Sequence, residues 1–207
     1  MTSPLQQRRR RDAEREITEA ALTLFEERGV QATTVEDIAN AADISVRTVF
    51  RYFGRKEDTA LVAHAEMRRA LRDAVTAAGL ERDPLLRIER AYVGVLQEFD
   101  EAGSFVLTAL ERVDRLKHSE PMLLQAGLRV DAEQCAWLAE QLTENAMLEP
   151  LQAALLAETM SLLFRQALQY WADHHHSPDG GPTLVESFTA VGMEFSRLGS
   201  VLSETFR

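Results

Sequence analysis

Residues 33–58 read TTVEDIANAADISVRTVFRYFGRKED, and the stretch contains two helix starts followed by two short apolar stripes. Thr34 places a hydroxyl where it can accept from the backbone N–H three residues on, and Asp37 at that third position complements the positive end of the helix dipole. Val35, Ile38, Ala39 and Ala42 then recur at helical spacing. The pattern breaks at Asp43 and Ile44, and Ser45 supplies a second N-cap for a short helix running to about Phe53. Gly54 is placed as the stop, because glycine takes the left-handed conformation without steric cost. The stretch is therefore predicted as helix, tight turn, helix.

Upstream, Ile17, Ala20, Ala21, Leu24 and Phe25 follow the i, i+3, i+4, i+7, i+8 template and stop at Gly29, which predicts a first helix over about Arg9–Arg28 with a mobile arm before Asp12. Downstream, a pattern free of Gly and Pro runs from Lys56 to Ala78. Further helical patterns cover Leu85 to Phe99, Phe105 to Leu116, Met122 to Leu142, Leu151 to Trp171 and Leu184 to Leu202. Pro84, Gly103, Pro121, Pro150 and the segment His174–Pro182 separate them. The expectation is an all-α chain of about nine helices with no strand. An N-terminal arm and three-helix domain over 1–55 precedes a larger helical domain over 56–207.

The 207 residues are 45% hydrophobic, ordinary for a packed globular chain. No window is long and apolar enough for a membrane span, and the N-terminus lacks the apolar run of a signal peptide, so a cytoplasmic protein without membrane contact is expected. The single cysteine, Cys135, can build neither an intrachain disulfide nor a cysteine-based zinc site. The net charge of −10 hides an asymmetry. Residues 1–56 carry ten Arg/Lys against nine Asp/Glu, and the remainder is strongly acidic. Arg8 to Arg11 form one basic cluster. Ile44 to Lys56 form another, with Arg47, Arg51, Arg55 and Lys56 and no acidic residue, and both are candidate phosphate contacts.

A helix that enters the major groove needs a capped start, an apolar inner face and polar or basic outer positions. Ser45 to Phe53 supplies all three. Val49 and Phe53 turn inward with Ile44, leaving Val46, Arg47, Thr48, Phe50, Arg51 and Tyr52 outward beside Ser45. Arg47 and Arg51 share a face suited to bidentate pairing with guanine, while Thr48 and Tyr52 can donate to phosphates. Lys56 at the start of the following helix and Thr34 at the start of the preceding one are further phosphate contacts.

The order of these residues resembles the helix-turn-helix of the TetR (tetracycline repressor) family, whose pattern runs roughly T-T-V-x-x-I-A-x-x-A-G-V-S-x-G-T-L-Y-x-H-F-x-S-K-E. Thr33, Thr34, Val35, Ile38, Ala39, Ala42, Ser45, Thr48, Phe53, Lys56 and Glu57 match it, and the likeness extends over about residues 9–63. Four departures bear on mechanism. Asp43 stands at the turn glycine, where aspartate tolerates the left-handed geometry. Arg47 replaces a small residue, Phe50 a tyrosine and Arg55 a capping serine. The resemblance implies a DNA-binding transcriptional regulator, a repressor of a palindromic operator released by a small-molecule effector. A ligand-independent architectural DNA-binding protein is the alternative.

The resemblance also implies a homodimer built from the last two helices. Leu151 to Trp171 is apolar on more than one face, and Leu184, Phe188, Val191, Phe195, Leu198 and Leu202 give the final helix a continuous stripe, so Leu163, Trp171, Phe188 and Phe195 are expected at the interface. Tyr92, Phe99, Phe105, Met122, Trp137 and Phe164 are the candidate ligand-pocket residues. No catalytic motif, cofactor site or metal site is expected, since His174, His175 and His176 lack the spacing of a preformed site.

Overall fold

The computed structural model describes residues 4–80, 83–102, 105–146, 148–177 and 180–205. Nine α-helices are present among them: α1 (Pro4–Arg28), α2 (Val35–Ala41), α3 (Val46–Tyr52), α4 (Val62–Ala78), α5 (Pro84–Ala102), α6 (Phe105–Lys117), α7 (Pro121–Asn145), α8 (Pro150–His174) and α9 (Leu184–Thr205). A 3-10 turn, Glu57–Leu61, precedes α4. The fold is all-α, as the periodicity predicts.

Three local expectations are corrected. The first helix begins at Pro4, so residues 4–11 are helical where a mobile arm was expected. Proline at a first helical position lacks only an N–H that would be unsatisfied there anyway, and Arg10 pairs with Glu14 at 2.7 Å one turn on. Gly54 does not take a left-handed conformation; α3 ends because Phe53 turns extended at φ −129°, ψ 133°. The pattern from Lys56 is not one uninterrupted α-helix, since it opens with the 3-10 turn.

The turn and cap readings at the other ends hold. Gly29 adopts φ +83° after α1, and Asp43 adopts φ +52° between α2 and α3, the left-handed geometry that a short polar side chain tolerates. Thr34 and Asp37 form a reciprocal capping box: Asp37 N–H donates to Thr34 Oγ1 at 3.1 Å, and Thr34 N–H donates to Asp37 Oδ2 at 2.8 Å.

The helices sort into two compact units that interleave along the chain. The first comprises Met1–Glu66 and Phe105–Arg129, the second Met67–Ser104 and Val130–Arg207. In the first, Ile17, Ala21, Leu22 and Phe25 of α1 are buried with Val30, Ile38, Ala39, Val49 and Phe53. The α6 helix belongs to the same unit, and its Arg112 grips α1. Its guanidinium donates to both carboxylate oxygens of Glu26 at 2.8 and 2.7 Å, to Glu19 at 2.7 Å and to the Thr23 hydroxyl at 3.2 Å.

In the second unit Tyr92 lies at the centre, its ring stacked 6.0 Å from Phe188 and edge-on 5.9 Å from Phe164. The start of α9 is tied down by Asp100 of α5, whose two oxygens accept from the N–H groups of Leu184 and Val185 at 3.0 and 3.1 Å. Those are donors a helix N-terminus leaves unsatisfied. Gly181 admits no side chain, because a Cβ there would lie 2.3 Å from the His174 carbonyl oxygen. No described helix is long and apolar enough to cross a membrane.

Candidate nucleic-acid interface

Two buried anchors present α3 outward. Val49 and Phe53 sink into the core of the first unit, and Ile38 and Ala39 of α2 pack below them in the same core. Ser45 caps the helix, its Oγ accepting from Thr48 N–H at 3.1 Å and lying 2.8 Å from the Thr48 hydroxyl. The remaining positions are turned outward as expected. Arg47 and Arg51 are exposed, Val46, Thr48 and Tyr52 are half-buried, and Phe50 is 56% exposed.

The basic side chains differ in how they are held. Arg47 makes no hydrogen bond or ion pair with any described residue. Arg51 folds onto its neighbour, its guanidinium 4.8 Å from the Tyr52 ring and donating to the Tyr52 hydroxyl at 3.0 Å. Arg10 reaches the same ring from α1 at 5.8 Å. The α1 end of the basic cluster thus meets the outer face of α3, a juxtaposition that sequence spacing does not reveal. Proline at position 4 was the available signal that the helix extends that far.

Lys56, read from sequence as a phosphate contact, is occupied by the protein itself. Its ammonium donates to the carbonyls of Val30 at 2.5 Å and Thr33 at 2.7 Å, which clamps the loop entering α2. Thr34 is exposed, but its hydroxyl is engaged with Asp37. The Asp37 carboxyl is held below the usual carboxylate range by the hydrogen bonds from the Thr34 hydroxyl and N–H, and further by Arg28 at 2.8 Å.

The expected pocket residues are not all brought together. Tyr92, Phe99, Trp137 and Phe164 lie in the second unit, while Phe105 and Met122 lie in the first. Phe105 sits under the Arg15 guanidinium at 5.2 Å, and Met122 is exposed. The expected interface residues divide likewise. Trp171 and Phe188 are 6% and 5% exposed within one chain, Trp171 stacking on His175 at 4.2 Å and Phe188 on Tyr92. Little of either is left for a partner. Phe195 remains 39% exposed, and it lines with Leu162, Leu163, Met193 and Leu198 an apolar groove of about 630 Å³ along α8 and α9. The Leu202 side chain lies outside the described residues.

Residues 17–62 match the family model of bacterial regulatory proteins, tetR family. The chain is 30% identical over 153 residues to the helix-turn-helix-type transcriptional regulator TcmR of Streptomyces glaucescens, an alignment covering 74% of this chain and 62% of that protein. A shorter stretch of 42 residues is 50% identical to the transcriptional repressor KstR2 of Rhodococcus jostii, covering 20% of this chain and 21% of that one. In fold it is similar to a protein of Syntrophomonas wolfei assigned as a TetR-family transcriptional regulator, with TM-score 0.61 and 18% identity over 95% of this chain and 97% of the other. A transcriptional regulator of Pseudomonas aeruginosa PAO1 superposes with TM-score 0.57 at 18% identity, over 94% and 93% of the two chains. The sequence pattern, the turn geometry at Asp43 and the presentation of α3 all agree with these matches: residues 17–62 match the tetR family of bacterial regulatory proteins, and the chain shares the all-α fold of the two solved structures.

Proposed function

We propose that this protein is a homodimeric DNA-binding transcriptional repressor that leaves a palindromic operator when a small-molecule effector binds its second unit. The observation that carries the reading is α3: capped by Ser45, anchored by Val49 and Phe53, and turning Arg47, Arg51 and the exposed Phe50 to solvent with no acidic residue between Ile44 and Lys56. Arg47 and Arg51 read base edges in the major groove, Phe50 packs on a thymine methyl or a sugar, and Val46, Thr48 and Tyr52 set the helix against the backbone. Thr34 and Lys56 contribute through the loop and helix they hold in place.

Two-fold operators require two heads about 34–36 Å apart, and the exposed stripe of Leu162, Tyr170, Met193, Phe195 and Leu198 on α8 and α9 supplies an apolar face for an isologous four-helix contact. The effector enters the second unit, and α4 links it to DNA: Val62–Glu66 belong to the first unit and Met67–Ala78 to the second. A catalytic reading finds no support in the lone thiol, since burial pushes Cys135 up to about 11, the reverse of an activated nucleophile.

The test is footprinting and fluorescence anisotropy on the DNA flanking the protein's own gene. A protected palindrome, with affinity falling steeply as salt rises, supports the reading. Binding of all sequences alike at every salt concentration overturns it in favour of an architectural protein.

A further inference from the structure

On the outer face of α3 the two arginines are held differently. Arg47 is exposed and makes no hydrogen bond or ion pair with any described residue. Arg51, one turn further on, lies with its guanidinium 4.8 Å from the Tyr52 ring and gives one Nη2 hydrogen to the Tyr52 hydroxyl at 3.0 Å. Adjacent residues on a helix do not ordinarily face each other, so this contact is set by side-chain placement rather than by spacing. Tyr52 is itself braced. Its ring lies 6.4 Å from that of Phe53, which is buried in the core of the first unit. The Arg10 guanidinium of α1 approaches the same ring at 5.8 Å, with its charge met by Glu14 at 2.7 Å.

A guanidinium carries its N–H donors in a planar fork. Whichever Nη2 hydrogen Tyr52 takes, one edge of that fork keeps two parallel donors, the pair needed for a bidentate contact. Guanine is the base whose major-groove edge offers two acceptors, N7 and O6. The Tyr52 hydroxyl only accepts in this contact and keeps its own proton for a phosphate oxygen. Orienting a long side chain costs rotamer entropy when a complex forms, and an arginine already held on a ring has less of it to lose. Arg51 is therefore the arginine suited to discriminate between bases, whereas an unbraced side chain such as Arg47 adapts to whatever lies opposite.

We propose that Tyr52 is a positioning residue for base recognition: it holds Arg51 pre-oriented, and Arg51 selects one guanine in each half-site. The assignment rests on the operator reading above and adds which arginine carries the discrimination and which neighbour aims it. Its failure is separable from the failure of that reading, because one measurement uses the free protein and the other compares duplexes that the protein binds.

Side-chain NMR relaxation on the free, full chain comes first. The Arg51 Nε–H should be more ordered than that of Arg47, and Tyr52→Phe should loosen it. Duplex DNA with a randomised centre is then selected on the wild type. Anisotropy compares the enriched duplex with its guanine-to-adenine derivatives, for the wild type, Tyr52→Phe, Arg51→Ala and the double variant. The expected result is a palindrome with one guanine per half-site whose preference Arg51→Ala abolishes and Tyr52→Phe lowers about fivefold. The double variant should show no less preference than Arg51→Ala alone, because Tyr52 acts through Arg51. A hydroxyl that served only a phosphate, or only the fold, would lower affinity for both duplexes alike and keep the ratio. An unchanged ratio in Tyr52→Phe, no guanine dependent on Arg51, or an Arg51 as mobile as Arg47 in the wild type overturns the proposal and leaves the operator reading standing. Selection that enriches no palindrome overturns both.

Discussion

The two units solve the same packing problem with different kinds of contact. In the first, the functional helix is defined by neighbours in sequence. Ser45 caps it three residues from Thr48, Thr34 and Asp37 close a box within one turn, and Asp43 bends the chain between them. In the second, the decisive contacts join residues far apart: Asp100 holds Leu184 and Val185, Tyr92 stacks on Phe188, and Arg72 meets Gln134. Local contacts of the first kind form without prior loop closure, whereas the second kind exist only once the whole bundle is assembled. The first unit is therefore the more legible of the two, and its substitutions should act locally.

The sharpest break in that comparison is at α9. Phe188→Ala removes a ring buried against Tyr92 and should cost about 3–5 kcal/mol in chemical denaturation, as large-to-small core substitutions do. Phe195→Glu, seven residues further along the same helix but exposed, should leave the fold intact and instead convert dimer to monomer in sedimentation equilibrium. A placement of charge in an apolar interface without a partner is strongly unfavourable. If Phe188→Ala changed association and Phe195→Glu changed stability, the assignment of the two faces would be reversed.

On the first unit, Arg51→Ala should relax preference at one base pair per half-site and cost about 1–3 kcal/mol of specific binding, read by anisotropy against a set of single-base operator variants. Lys56→Ala should behave differently. Loss of the ammonium leaves the Thr33 carbonyl without its donor and the Val30 carbonyl with only the Thr33 N–H at 3.3 Å, so the expected outcome is about 1–3 kcal/mol of lost stability, together with a uniform loss of affinity for all sequences. An unchanged denaturation midpoint with a flatter salt slope would make Lys56 a phosphate contact alone.

Smaller effects test the locality of the caps. Ser45→Ala should cost about 1 kcal/mol and loosen α3 in amide exchange, with the second unit unaffected. Asp37 is held below the usual carboxylate range in the folded chain. Its contribution is therefore fully present above the unfolded value and is lost as pH falls through the lower folded one. Protection of α2 amides should decline over that acidic window in the wild type. In Asp37→Asn the pH dependence should vanish, and its persistence would assign the effect to another group.

The sequence by itself was enough for the helix count, the turn at Asp43, both N-caps and the outward set on α3, because each depends on residues within one or two turns and on spacing that maps directly onto a helix face. Even the errors there were local: Pro4 extends α1, and Phe53 rather than Gly54 ends α3. A pattern of apolar residues says that a face is buried but not by what. Trp171 and Phe188 looked like interface residues and are core, while Phe195 on the same α9 stripe is exposed. Lys56 looked like a surface charge and is a clamp on the loop from Val30 to Thr33. Phe105 and Met122 looked like partners of Tyr92 and belong to the other unit. For Phe188, Lys56 and Phe105 the deciding partner lies more than twenty residues away, so only tertiary structure could choose it. Helical periodicity records which side of a residue is dry, whereas the identity of its neighbour is a property of the assembled bundle.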